Sequence, residues 1–169
     1  MLKAISNVKG VEYIIRLLVI IFAAIAPFIF ILSEGILPSV SNYWATPMQP
    51  IFIVANAATS FYLFKIPSWK YSAVFLLLLT AFSIDYFRIS HNILSIAFFV
   101  LSSYPLLRSR HFKFCFWIYA SSLIVMLYSL LAGEIVAILT LCIYHILLLN
   151  KVHKLNEYGE EIQNKNKSR

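Results

Sequence analysis

The chain has 169 residues, of which 61% are hydrophobic, 16% aromatic and only 12% charged, and it carries a formal charge of +7. A water-soluble domain has apolar residues at about half of its positions, so this composition excludes one and indicates an integral membrane protein, as does a mean hydropathy of +0.82. The Lys and Arg residues gather at the ends of apolar runs rather than along one face, so membrane topology accounts for the charge and nucleic acid is not expected as a partner.

Taken in chain order, six apolar runs are candidates to cross ~30 Å of hydrocarbon as helices. They cover residues 11–33, 50–65, 70–88, 91–108, 113–131 and 134–150. The expectation is an all-α, polytopic transmembrane bundle of six helices filling residues 1–150, followed by a cytoplasmic polar tail over 151–169. The first run follows Lys3 and Lys9 like a secretory signal, but it is too long and leads into further spans, so it reads as a retained helix. The third and fourth runs almost touch and predict a tight hairpin. The tail "KVHKLNEYGEEIQNKNKSR" is expected to extend the last helix a few turns and then fray.

Orientation follows from the basic residues. With the N-terminus inside, the cytoplasmic segments hold Lys3, Lys9, Arg16, Lys65, Lys70, Arg108, Arg110, Lys113, Lys151, Lys154, Lys165, Lys167 and Arg169, which is thirteen of fourteen, leaving Arg88 outside. The reading is N-in and C-in. All four glycines are expected at or beyond helix ends, with "AGE" at 132–134 forming the last turn. Pro27 and Pro105 fall inside spans and are expected to kink them. There is no GxxxG motif, so the small residues of "ANAATS" are the expected packing site, with Thr59 and Ser60 allowing close approach and Asn56 bonding across helices. Cys115 and Cys142 lie in apolar runs without metal-ligand spacing and read as buried thiols.

The remaining polar residues meet at one level. Glu34, Asp85 and Glu134 come from distant parts of the chain, yet all fall at external helix ends, together with Arg88 and His91. Asn42, Tyr43 and Trp44 in the longest external loop, and Asn92 and Asn56 slightly deeper, can join them. Ionisable residues in spans are costly, about 2.5 to 3.5 kcal/mol at mid-membrane on insertion scales, so they pair or mark function. Two readings stand. In one, Asp85 and Arg88 form an ion pair that stops the third helix, His91 caps the fourth and Glu134 serves its own helix dipole. In the other, Glu34, Asn42, Tyr43, Asp85, Arg88, His91, Asn92 and Glu134 build a non-enzymatic extracytoplasmic pocket for a lipid headgroup, a small solute or a partner protein.

Two further function classes stay open. Copies could assemble into a pore or a depolarising effector triggered by a cytoplasmic partner, using Ser121, Ser122, Thr59 and Ser60 at mid-depth. An intramembrane metal-dependent hydrolase would need His145 near Asp85. Yet His145 lies eleven residues, roughly 16 Å, inward from Glu134 while His91 stays near the surface. No catalytic residue, metal ligand or cofactor is assigned. Beyond the lipid bilayer, the partners considered are a lipid or small-molecule ligand, a second copy of the chain and a protein partner.

The stretches "LPSVSNYWATPMQPIFIVANAATSFYLF", "IDYFRISHNILSIAFFVLSSY" and "GEIVAILTLCIYH" resemble a broad group of small bacterial six-helix membrane proteins. In that group a Ser-x-Ser-x-Tyr-aromatic loop follows the first helix, a His-containing stretch opens the fourth and an acidic residue opens the last. The resemblance implies this architecture and a bacterial inner-membrane location, and it points at Ser39, Ser41, Tyr43, His91 and Glu134. It implies no activity.

Overall fold

A computed structural model describes residues 10–167, leaving Lys3, Lys9 and Arg169 of the orientation argument outside the described residues. The described chain is all-α and has no strand. Its helices are α1 (Gly10–Glu34), α2 (Gln49–Phe64), α3 (Lys70–Ala81), α4 (Arg88–Arg108), α5 (Lys113–Val125) and α6 (Leu130–Lys167), with short 3-10 helices at Val40–Ala45 and Pro67–Trp69. Each helix packs against the next along the chain, and α6 returns to pack against α1, so the helices form a closed ring.

Three helical segments are long and apolar enough to cross a membrane, namely Gly10–Glu34, Arg88–Arg108 and Leu130–Asn156. Gln49–Phe64 and Lys113–Val125 are shorter apolar helices. At 1.5 Å per residue, the 12 residues of α3 rise only about 18 Å. The chain is thus a helical membrane protein whose three long helices, α1, α4 and α6, are separated by shorter ones.

The structure corrects the expected boundaries at three places. The third run does not continue as helix to 88: α3 ends at Ala81, and Phe82 is extended at φ −99°, ψ 102°. Ser83 provides a competing local structure, because its hydroxyl accepts the Asp85 N–H at 3.2 Å and its carbonyl the Phe87 N–H at 2.9 Å. The hairpin therefore has a real six-residue connection over 82–87. At the second place, α5 stops at Val125 and α6 starts at Leu130, so Gly133 lies inside α6 and the turn falls at 126–129. Lastly, α6 passes Asn150 as expected but continues as backbone helix through Lys167 instead of stopping after a few turns.

Gly133 explains the second correction. A Cβ built there would lie 2.6 Å from the Met126 backbone nitrogen and would strike the Met126 side chain. The chain folds back from α5 onto the first turn of α6 only because this position has no side chain. At the opposite end of the ring, Glu12 takes Arg16 Nη2 at 2.7 Å and lies 3.6 Å from Lys65 Nζ, joining α1 to the end of α2. Tyr13 donates to Asn150 Oδ1 at 2.7 Å and stacks on His153 at 4.4 Å, joining α1 to α6.

Helix propensity alone would favour Gly133→Ala by roughly 0.5 to 1 kcal/mol. The Met126 contact predicts the reverse, a destabilisation of about 1 to 3 kcal/mol from overpacking. Thermal unfolding of the detergent-solubilised variant is expected to show a lower Tm than the parent, and a raised Tm would refute the close-approach account.

Candidate functional site

The site begins with the connection between α1 and α2. Gly35 follows α1 at φ +78°, a left-handed conformation that suits glycine, and turns the chain back across the end of the ring. Tyr43 then closes the loop from within. Its ring is completely buried and stacks 5.3 Å from Phe30, while its hydroxyl donates to the Gly35 carbonyl at 2.6 Å and accepts the Leu37 N–H at 3.2 Å. Ser39 Oγ donates to Asn42 Oδ1 at 2.7 Å, and Thr46 Oγ1 to the Tyr43 carbonyl at 2.9 Å. The "SVSNYWAT" sequence thus satisfies its own turn.

Two longer bonds tie this loop to the helices. The Val40 N–H donates to Glu134 Oε2 on α6 at 2.6 Å, and Trp44 Nε1–H donates to the Thr80 carbonyl on α3 at 3.2 Å. The early end of α3 makes the second bond available, because the last carbonyls of a helix have no intrahelical donor. His91 uses the same opening. Its Nδ1–H donates to the Phe82 carbonyl at 2.6 Å, so this histidine ties α4 to the end of α3 rather than capping α4.

Under this loop, α1, α2, α3, α4 and α6 enclose a cavity of about 100 Å³. Its walls are mainly apolar, including Phe30, Phe52, Leu76, Leu79, Phe98 and Leu141, with Ser41, Asn56, Thr59, Ser95 and Glu134 as polar members. Glu134 is only 6% exposed. One carboxylate oxygen is held by Val40, and the other has no protein partner among the described residues. Ser41 Oγ, the Asn56 amide and Ser95 Oγ are likewise without protein hydrogen bonds among the described residues. Pro27 contributes to the same wall, and its missing N–H deprives the Ala23 carbonyl of its helical donor.

The energetics leave this arrangement incomplete. A hydrogen bond to a charged group contributes about 1.5 to 3 kcal/mol, whereas a buried acceptor left unsatisfied costs about 1 to 3 kcal/mol, and more when it is charged. The single Val40 bond satisfies one carboxylate oxygen, but it leaves the other facing the cavity.

Of the residues assigned from sequence, Asn42, Tyr43 and Glu134 meet at the loop, and His91 stands at the α3–α4 corner. Glu134 does not serve its own helix start. It sits one turn inside α6 and binds the 3-10 helix instead. Asp85, Arg88 and Asn92 are exposed, and the postulated Asp85–Arg88 ion pair is not formed: the ion pairs among the described residues are those of Glu12. Glu34 is half-buried and accepts from Ser33 Oγ at 3.3 Å. Asn56 lines the cavity instead of bonding across helices, Thr59 Oγ1 bonds back to the Ala55 carbonyl at 2.7 Å, and Ser60 is completely buried. Sequence reasoning missed Ser95; its one available signal was its place one turn after His91, a polar residue on the helical face already singled out.

A second void of about 40 Å³ continues along α6 and shares Ala23, Thr59, Phe98, Leu141 and Cys142 with the first. It ends at His145, whose Nδ1 is 3.0 Å from the Tyr62 hydroxyl and whose ring packs on Trp69 at 4.5 Å and Tyr144 at 5.2 Å. Among the described residues no three His, Cys, Asp or Glu side chains are grouped to hold a metal.

Tyr43→Phe removes both hydroxyl bonds that close the loop and is expected to cost about 1 kcal/mol for each, read as a lower Tm in detergent; an unchanged Tm would mean that the loop is held from elsewhere. Comparison of the chain with protein-family models, with curated proteins and with solved structures returned no match.

Proposed function

We propose that this protein is a non-enzymatic, multi-pass membrane protein of the bacterial inner membrane that binds a lipid or other small amphiphile in the cavity beneath the 35–48 loop. In this reading all six helices serve as spans, N-in and C-in, and the loop end faces outward. The observation that carries it is the set of polar groups that line one cavity from four separate elements: Ser41 on the loop, Asn56 on α2 and Ser95 on α4, none with a protein hydrogen bond among the described residues, and on α6 the Glu134 carboxylate, with one oxygen held by Val40 and the other unpartnered. A mostly apolar pocket with a few convergent polar groups is the usual form of a small-molecule site. The ligand-facing wall thus consists of Glu134, Asn56, Ser41 and Ser95, with Tyr43 and Asn42 supporting the loop above it.

The other function classes draw less support. Of the four pore candidates, Ser60 and Ser122 are completely buried inside a single chain, Thr59 Oγ1 donates to the Ala55 carbonyl, and Ser121, though exposed, donates to the Ile118 carbonyl at 2.7 Å, so they supply little free polar lining between copies. His145 is buried against Tyr62, Trp69 and Tyr144 while Asp85 is exposed, so the pair required by the hydrolase is not assembled.

Native mass spectrometry of the detergent-extracted protein is expected to show one retained small molecule per chain. Ser95→Leu, which fills part of the cavity, is expected to lose it with helix content by circular dichroism unchanged. A parent protein that carries nothing, and that no added amphiphile stabilises, would refute the reading. The orientation has its own check: single cysteines at Ile36 and Tyr86, in a background lacking Cys115 and Cys142, are expected to react with a membrane-impermeant maleimide on intact cells, and one at Ser109 only after lysis. The opposite labelling pattern would invert the topology.

A further inference from the structure

We infer that the ligand of this cavity is a single-chain amphiphile with a protonated amine at its head; this deepens the binding proposal above and rests on it. Glu134 is 94% buried by its 6% exposure and has one oxygen held by the Val40 N–H. No cationic side chain among the described residues reaches it, since the recorded ion pairs lie at Glu12. The cavity that Glu134 lines is also lined by Ser41, Asn56 and Ser95, each able to present an oxygen and none bonded to protein among the described residues. A primary ammonium brings three N–H donors and no acceptor. It therefore matches a cavity that offers a carboxylate and several neutral oxygens better than a hydroxyl, which brings one donor, or an anion, which the carboxylate repels.

The rest of the cavity sets the remainder of the molecule. Its walls below the polar groups are aliphatic and aromatic, with Phe98 and Leu141 common to both voids. The two adjoining voids, of about 100 and 40 Å³, together approach the roughly 150 Å³ of a cavity that takes up benzene, a scale that suits a short unbranched amine or the head and first carbons of a longer one. A bare sodium ion would also meet oxygen ligands here, but it would leave the apolar walls empty, so the amine is favoured.

The test uses the full-length protein in nanodiscs of zwitterionic lipid, titrated calorimetrically with hexylamine, octylamine and decylamine and, in parallel, with the alcohols of equal chain length. The alcohols control for partition into the bilayer. The expected results are at least tenfold tighter binding of octylamine than of octanol, tightening by roughly fourfold per added methylene until the cavity is full, and loss of the amine preference in Glu134→Gln with octanol binding retained. Equal affinity for amine and alcohol on the parent protein would overturn the amine and leave the binding proposal standing. No binding of any probe by the parent would overturn both. If Glu134→Gln does not fold, the amine-to-alcohol ratio on the parent decides the question. Amine binding that appears in choline chloride, vanishes in sodium chloride of equal ionic strength and is replaced by one bound sodium would overturn the amine in favour of the ion.

Discussion

The bond from the Val40 amide to the Glu134 carboxylate is the interaction on which the loop end of this protein depends. It joins positions 94 residues apart and is formed where both partners are buried. Glu134 lies on α6, the helix that closes the ring against α1, while Val40 opens the 3-10 helix that crosses above the cavity. Removing either partner would leave a buried polar group unsatisfied, which is where the large free energies of hydrogen bonding lie. The bond therefore holds the loop as a cover and orients the carboxylate at once.

The short third helix is its counterpart. In a longer α3 the Thr80 and Phe82 carbonyls would bond to the next turn of their own helix. Because the helix stops at Ala81, they accept instead from Trp44 on the loop and His91 on α4. The loop is thereby attached to α1 through Tyr43, to α3 through Trp44 and to α6 through Val40. Three attachments from one 14-residue connection make it a fixed wall of the cavity, and the ligand site proposed here is built on that wall.

Some of this was legible in the residues alone. Hydropathy located every helix, and α1, α2 and α4 begin and end within three residues of the expected positions. Glu134 and Asn56 stood out because ionisable and amide groups are costly in apolar surroundings. The end of α3 was not legible, because "FSI" at 82–84 continues the apolar run and the groups that receive its carbonyls are far away in sequence. The start of α6 was missed for a similar reason: Gly133 has the composition of a turn, and only its contact with Met126 shows that it serves helix packing.

The sequence by itself determined that the chain is helical and membrane-embedded, since both properties follow from composition and from the length of apolar runs, quantities that sum over local residues. Only the tertiary structure decided how the polar residues are divided. Asp85, Arg88 and Asn92 share the exposed corner near His91 in sequence but do not join Glu134, whereas Ser41, Asn56 and Ser95 come from three separate elements and do share its cavity. The physical reason is that hydropathy measures what a segment costs to bury. It does not specify which face each helix turns toward its neighbours, and that rotation places a carboxylate, an amide and two hydroxyls around one space.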